Sequence, residues 1–338
     1  MARWVRSHGA AVAVVTVTVV LVALALAVRP GALPGPTAHV SVPAPTAPRA
    51  TGRPTTSAWP AAPASGEVPA IAYGPLPYQL LDLYLPDRAA FPGVAPVIVY
   101  LHGGGWVGGS RSNVDPSCRA EVARGYGVAS VDYLLATPGA AGSFPGAVSD
   151  AKLAIRFVKV HAAQWSLDPS RVVVMGDSAG GYLAAFVAAT RGAFEPVVAG
   201  PLAVTDSSVA GVVDVVGITD LPTFATTAHP WAAPLTASFL GCPLVGGRAA
   251  CSSASLAAAS VAPYVDATAP PILLAYGGAD ALVVASTQGR PLATVWSRAH
   301  EGDPGAVTYL EVQGAGHNLS PAQLGGTLTA FLDRVSGF

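Results

Sequence analysis

Apolar positions along this chain fall into three regimes. From Ser7 to Val28 the sequence reads "SHGAAVAVVTVTVVLVALALAV", with no charge and no polar face. Its apolar part is about the length that crosses a bilayer as a helix. Residues 30–66 are rich in Pro, Ala and Thr. Such a segment buries too little apolar surface to fold, and proline biases it toward extended polyproline II. From Glu67 to Phe338, short unbroken apolar runs alternate with longer stretches at helical spacing.

The third regime carries the fold. "APVIVYL" (Ala95–Leu101), "YGVASVDY" (Tyr126–Tyr133), "RVVVM" (Arg171–Met175), "GVVDVVG" (Gly211–Gly217), "PILLAYG" (Pro271–Gly277) and "VTYLEVQG" (Val307–Gly314) read as strands. Between the second and third, Pro145 opens a helix with Val148, Ala151, Ile155 and Val158 on one face. Asp168-Pro169-Ser170 reads as a turn before the third strand. Continuous apolar strands separated by helices predict an α/β domain, its mostly parallel sheet covered by helices on both faces. Chemistry in such a sheet gathers at the carboxyl ends of the strands.

The flanks of the first regime say where this domain sits. Arg3 and Arg6 precede the apolar run and Arg29-Pro30 closes it. Residues 1–29 therefore read as a membrane anchor or as a cleaved signal sequence, with Ala25-Leu26-Ala27 as the small-x-small site. The length of the run favours the anchor. The positive-inside rule keeps the arginines in the cytoplasm, which puts the domain on the extracytoplasmic side, anchored or secreted. Residues 30–66 are the expected linker and residues 67–338 the folded domain. A net charge of −1 gives no attraction to nucleic acid. Cys242 and Cys251 bracket a Gly-rich spacer and are expected to pair outside the cell. No Cys or His pair has metal-ligand spacing, so no metal site is expected.

Gly176-Asp177-Ser178-Ala179-Gly180 follows "RVVVM" and precedes a small-residue helix. This is G-x-S-x-G in its strand–turn–helix context, where glycines make room for a strained serine. Ser178 is the candidate nucleophile, and it needs a base. His8 and His39 fall before the domain, His161 and His300 in or at the ends of helices, and His229 in a Pro-rich insertion. His102 begins a glycine run and is expected to orient it. That leaves His317, in "QGAGHNLS" after the last strand. Asp280, in the loop after "PILLAYG", is the candidate acid that fixes the imidazole, with Asp220 as the alternative. Acyl transfer also needs N–H donors for the developing oxyanion. "HGGGW" follows a strand, so Gly103 and Gly104 are expected to supply them together with Ala179. The open question in this loop is Trp106, which either lines a pocket or packs the loop.

These segments resemble the α/β-hydrolase carboxylesterases of the hormone-sensitive-lipase type and their feruloyl-esterase-like (BD-FAE-like) relatives. The resemblance runs from Tyr73 to the C-terminus, through "LLDLYLP", "PVIVYLHGGGWVGGS", "VDYLL", "FPGAVSDAKLAIRFV", "DPSRVVVMGDSAGGYLA", "GITDL", "PPILLAYGGADALV" and "GAGHN". It implies an α/β-hydrolase fold, a Ser-His-Asp triad acting on small-molecule esters, and no cofactor. An amidase with the same triad is the alternative. Two departures stand out. Leu134 follows Tyr133 where many relatives have arginine, and little chain is left for an N-terminal cap. The segment 221–262, with Phe224, Trp231, Phe239 and Leu240, is therefore expected to form a lid over the site.

Overall fold

The computed structural model describes Gly66–Phe338. The expected helix over residues 1–29, and the expected linker up to residue 65, lie outside the described residues. Among the described residues, no helix is long and apolar enough to cross a membrane.

In chain order the elements are β1 (Gly66–Ala72), β2 (Leu80–Leu85), β3 (Ala95–Leu101), α1 (Pro116–Ala123), β4 (Gly127–Val131), α2 (Gly146–His161), β5 (Leu167–Asp177), α3 (Ala179–Ala189) and α4 (Pro201–Val204). They continue with β6 (Gly211–Val215), α5 (Leu221–Ala225), α6 (Ala232–Leu240), β7 (Leu244–Val245), β8 (Arg248–Ala249), α7 (Ser253–Ala258), β9 (Ile272–Gly277), α8 (Gly289–Ala299), β10 (Val307–Val312) and α9 (Pro321–Ser336). Eight strands form one sheet in the order β1-β2-β4-β3-β5-β6-β9-β10. The β1–β2 and β2–β4 pairs are antiparallel and the rest parallel.

Strand period two divides the core into two layers. In β3, Val97, Val99 and Leu101 join the cluster that contains α2, α3 and α8. Ile98 and Tyr100 face the other way, onto Cys118 of α1 and Leu324, Leu328 and Phe331 of α9. All seven residues of β3 are buried, as a strand covered on both faces requires.

Two boundaries differ from expectation. Gly66, placed in the linker, opens β1. The Asp168-Pro169-Ser170 turn lies inside β5 as an irregularity of the ladder. Leu167 pairs with Ala95, and regular pairing resumes at Val172 opposite Val97. Asp168 Oδ1 accepts the Ser170 N–H at 2.9 Å, so the turn chemistry is present. It kinks a strand that Leu167 has already begun.

The segment 221–262 holds α5, α6, the β7–β8 hairpin and α7, and Cys242 and Cys251 are bonded within it. Its α6 packs inward through Leu235 and Phe239, four residues apart on one helical face. Phe224 is also fully buried and Leu240 half-buried, whereas Trp231 is 63% exposed. Trp231 is therefore not part of an inner lining.

Candidate active site

Ser178 stands at the turn between β5 and α3 with φ 54° and ψ −116°, a strained conformation for a residue with a Cβ. Two close approaches explain the flanking glycines. A Cβ on Gly176 would lie 2.3 Å from the Gly180 carbonyl, and one on Gly180 would lie 1.9 Å from the Leu101 oxygen. The Ser178 amide donates to the Val215 carbonyl at 2.8 Å, which pins the turn to the neighbouring strand.

The loops after β9 and β10 bring the other two residues to this turn. They are tied together by Gly278 N–H to Val312 O at 2.9 Å and Ala279 N–H to Ala315 O at 2.8 Å. His317 Nε2 lies 2.9 Å from Ser178 Oγ, and His317 Nδ1 lies 2.7 Å from Asp280 Oδ2. Asp280 Oδ1 accepts the amides of Leu282 and Val283 at 2.8 and 3.0 Å. Burial alone would raise the Asp280 pKa. The His317 hydrogen bond and charge, with the two amides, outweigh it and hold the carboxyl below its usual value. An ionised Asp280 keeps the proton on Nδ1 and leaves Nε2 free to accept from the serine hydroxyl.

Asp220, the alternative acid, is occupied elsewhere. It caps α5, its Oδ1 accepting the Thr223 amide at 2.8 Å. Asp220→Ala is expected to cost about 1 kcal/mol of stability, read by urea denaturation, with kcat unchanged. A large loss of kcat at unchanged stability would return Asp220 to the catalytic set.

The glycine loop lies against the serine turn. His102 is buried, stacked on Tyr133 at 4.4 Å, with Nδ1 2.7 Å from the Gly103 oxygen. Burial, against the opposing pull of the Gly103 carbonyl, Asp132 and Asp177, lowers its pKa. A neutral ring with its proton on Nδ1 then donates to the carbonyl and orients the loop.

The expected donor Gly103 is corrected by this geometry. Its N–H is already spent on Asp177 Oδ1 at 3.0 Å, and the same carboxylate oxygen accepts from the Tyr100 hydroxyl. Among the described residues, the amides of Gly104, Gly105 and Ala179 make no hydrogen bond. The free donors of the loop are thus one residue further along than the sequence suggested. Asp177 and Tyr100 escaped notice because their partnership crosses from one strand to the next. Trp106 is fully buried, stacked on Phe239 at 4.2 Å and edge-on to Tyr182 at 5.4 Å. It packs the loop against α6.

Arg111 was also missed. Leu134 leaves no arginine after Tyr133, but Arg111, just beyond the glycine loop, bridges Asp82 at 2.8 Å and Asp132 at 2.6 Å. It fastens the end of the loop to β2 and to the segment leaving β4.

Beneath the serine turn lies Asp214, fully buried in β6 against Gly181 and Gly217. Burial pushes its pKa up to about 7. The Tyr276 hydroxyl is 3.0 Å from Asp214 Oδ2 and 2.8 Å from the Gly217 oxygen. One tyrosine proton cannot serve two acceptors; a proton on Asp214 would supply the second. The folded protein holds this proton more tightly than the unfolded chain, where a carboxyl titrates near 4. The contribution to stability is complete below about pH 4 and is lost as pH rises toward about 7. Asp214→Asn is expected to flatten this decline, which reaches up to roughly 4 kcal/mol. Urea midpoints of both proteins across pH 4 to 8 measure it. Parallel profiles would refute a proton on Asp214.

With this geometry in hand, a family model, BD-FAE, matches residues 81–295. The chain belongs to the BD-FAE family. The matched span contains the glycine loop, Ser178 and Asp280, while His317, β10 and α9 lie beyond it. Carboxylesterase NlhH of Mycobacterium tuberculosis is 41% identical over 109 residues, covering 31% of this chain and 33% of NlhH. Esterase LipC of the same organism is 31% identical over 274 residues, covering 78% of this chain and 64% of LipC. The chain thus spans a third of one curated relative and just under two thirds of the other. A truncated carbohydrate esterase from gut microbiota superposes with a TM-score of 0.67 at 24% identity, covering 81% of this chain and 97% of that one. That likeness is one of fold.

Proposed function

We propose that this BD-FAE family member is a serine carboxylesterase that cleaves small-molecule carboxylic esters. The observation that carries the reading is the unbroken chain Asp280–His317–Ser178, set beside three unpaired backbone amides. His317 Nε2 takes the proton as Ser178 Oγ attacks the ester carbonyl. The carbonyl oxygen becomes an oxyanion and accepts from Gly104, Gly105 and Ala179. Collapse breaks the C–O bond, and His317 returns the proton to the departing alcohol. Water, deprotonated by His317, then releases the acid from the acyl-serine.

The names of NlhH and LipC support esters as the substrate class. The uncharged run at residues 7–28 supports a site held at the outer face of a membrane. Parallel assays on p-nitrophenyl esters and the matched anilides test the reading. Ester turnover without comparable anilide turnover is expected. Anilide cleavage at equal or higher kcat/KM would replace the esterase by an amidase.

A further inference from the structure

The segment 221–262 turns an unusual surface outward. It contains no Asp or Glu and one strong cation, Arg248. Trp231 (63%), Leu244 (49%) and Val245 (62%) are all solvent-exposed. Leu244 and Val245 are neighbours on one strand, so they point to opposite faces of the β7–β8 ribbon. Both are exposed, although β8 lies along a groove against α5, α6 and α7. Cys242–Cys251 ties its base, and Leu244 pairs with Ala249 and Val245 with Arg248. Trp231 belongs to the same end of the segment. Its neighbours Pro230 and Ala233 line one groove with Gly247, Arg248 and Ala249, about 640 Å³ in volume. Arg248 makes no ion pair among the described residues.

An exposed apolar ribbon and an exposed tryptophan in one acid-free segment, with a free cation, suit a surface that meets another phase. The rest of the sequence says which phase. An uncharged 7–28 run ends at Arg29, and residues 29–65 separate it from β1. The contour length of that many residues is on the order of 120 Å. It exceeds the roughly 50 Å diameter of a domain this size, so chain length alone bars no face of the domain from a bilayer.

We propose that the outer end of segment 221–262 docks on a phospholipid bilayer. Trp231, Leu244 and Val245 enter the boundary between headgroups and acyl chains, and Arg248 meets lipid phosphate. This inference rests on the membrane part of the reading above and not on ester hydrolysis.

The test uses the full chain with phosphatidylcholine–phosphatidylglycerol vesicles containing phosphatidylcholine brominated near the headgroup end of its chains. Bromine quenches nearby tryptophan emission. Subtracting the Trp231→Phe spectrum isolates Trp231 from the other five tryptophans. Strong quenching of that difference is expected, reduced at least roughly twofold in Leu244→Ser/Val245→Ser. Flotation with the vesicles separates the two ideas. A chain that floats while the Trp231 difference is unquenched overturns the docking surface alone. A chain that neither floats nor shows the quenched difference in excess vesicles overturns both. A Trp231 difference that responds to protein concentration and not to bromine makes this face a contact between copies, and the proposal fails.

Discussion

Ser178→Ala is expected to lower kcat on a p-nitrophenyl ester by roughly 10⁶-fold, to the level that oriented binding and an oxyanion site alone supply. The atom removed is the only one that forms a bond to substrate in the scheme above. Its loss leaves His317 without a proton to accept and no acyl-enzyme to resolve. The fold should change little. The turn is pinned by a backbone bond, Ser178 N–H to Val215 O, and by glycines whose close approaches involve backbone, none of which needs the hydroxyl. The lost Ser178–His317 hydrogen bond costs about 1 kcal/mol, and urea denaturation should show no more. A fluorophosphonate probe should label the wild-type chain and not the variant. Equal labelling of both, or a kcat within tenfold of wild type, would remove Ser178 from the mechanism.

The route from sequence to this site was short for some residues and closed for others, for physical reasons. Ser178, Asp280 and His317 each follow a strand that reads as an apolar run, and a parallel sheet brings such loops to one edge. Their juxtaposition needed only the topology. The β5 boundary was misplaced because Asp168 and Ser170 do make the local turn bond, and a propensity argument cannot see that Leu167 has already paired with Ala95. Trp231 looked like Phe239, an aromatic in an apolar insertion. Four-residue spacing puts it in register with Leu235 and Phe239, yet at the N-cap of α6 it is exposed while they are buried and meet the glycine loop. Arg111, Tyr100 and Asp177 act through contacts between segments 21 to 77 residues apart, which no local pattern encodes.

The glycine loop shows the same limit and gives the second large prediction. From sequence alone, Gly103 and Gly104 are equivalent donors, and alanine at either should impair the reaction alike. The structure separates them. Gly103 spends its amide on Asp177 and has no left-handed φ, and its added Cβ would meet the end of the Asp177 side chain at 2.3 Å. Gly104 sits at φ +119°, and its added Cβ would meet the Gly108 carbonyl at 2.2 Å, backbone against backbone. Alanine there must displace the turn that holds the Gly104 and Gly105 amides in place. Gly104→Ala is expected to lower kcat by roughly 10²- to 10³-fold, the effect of losing an oxyanion donor, with a much smaller change in KM. It should also cost about 1–3 kcal/mol through the strained backbone. Gly103→Ala can be relieved by a shift of one carboxylate and should cost distinctly less in kcat. Steady-state kinetics of the two variants on one ester, beside their urea midpoints, decide the point. Equal losses of kcat would restore Gly103 as a donor, and a Gly104→Ala enzyme with wild-type kcat would mean that the oxyanion is held elsewhere.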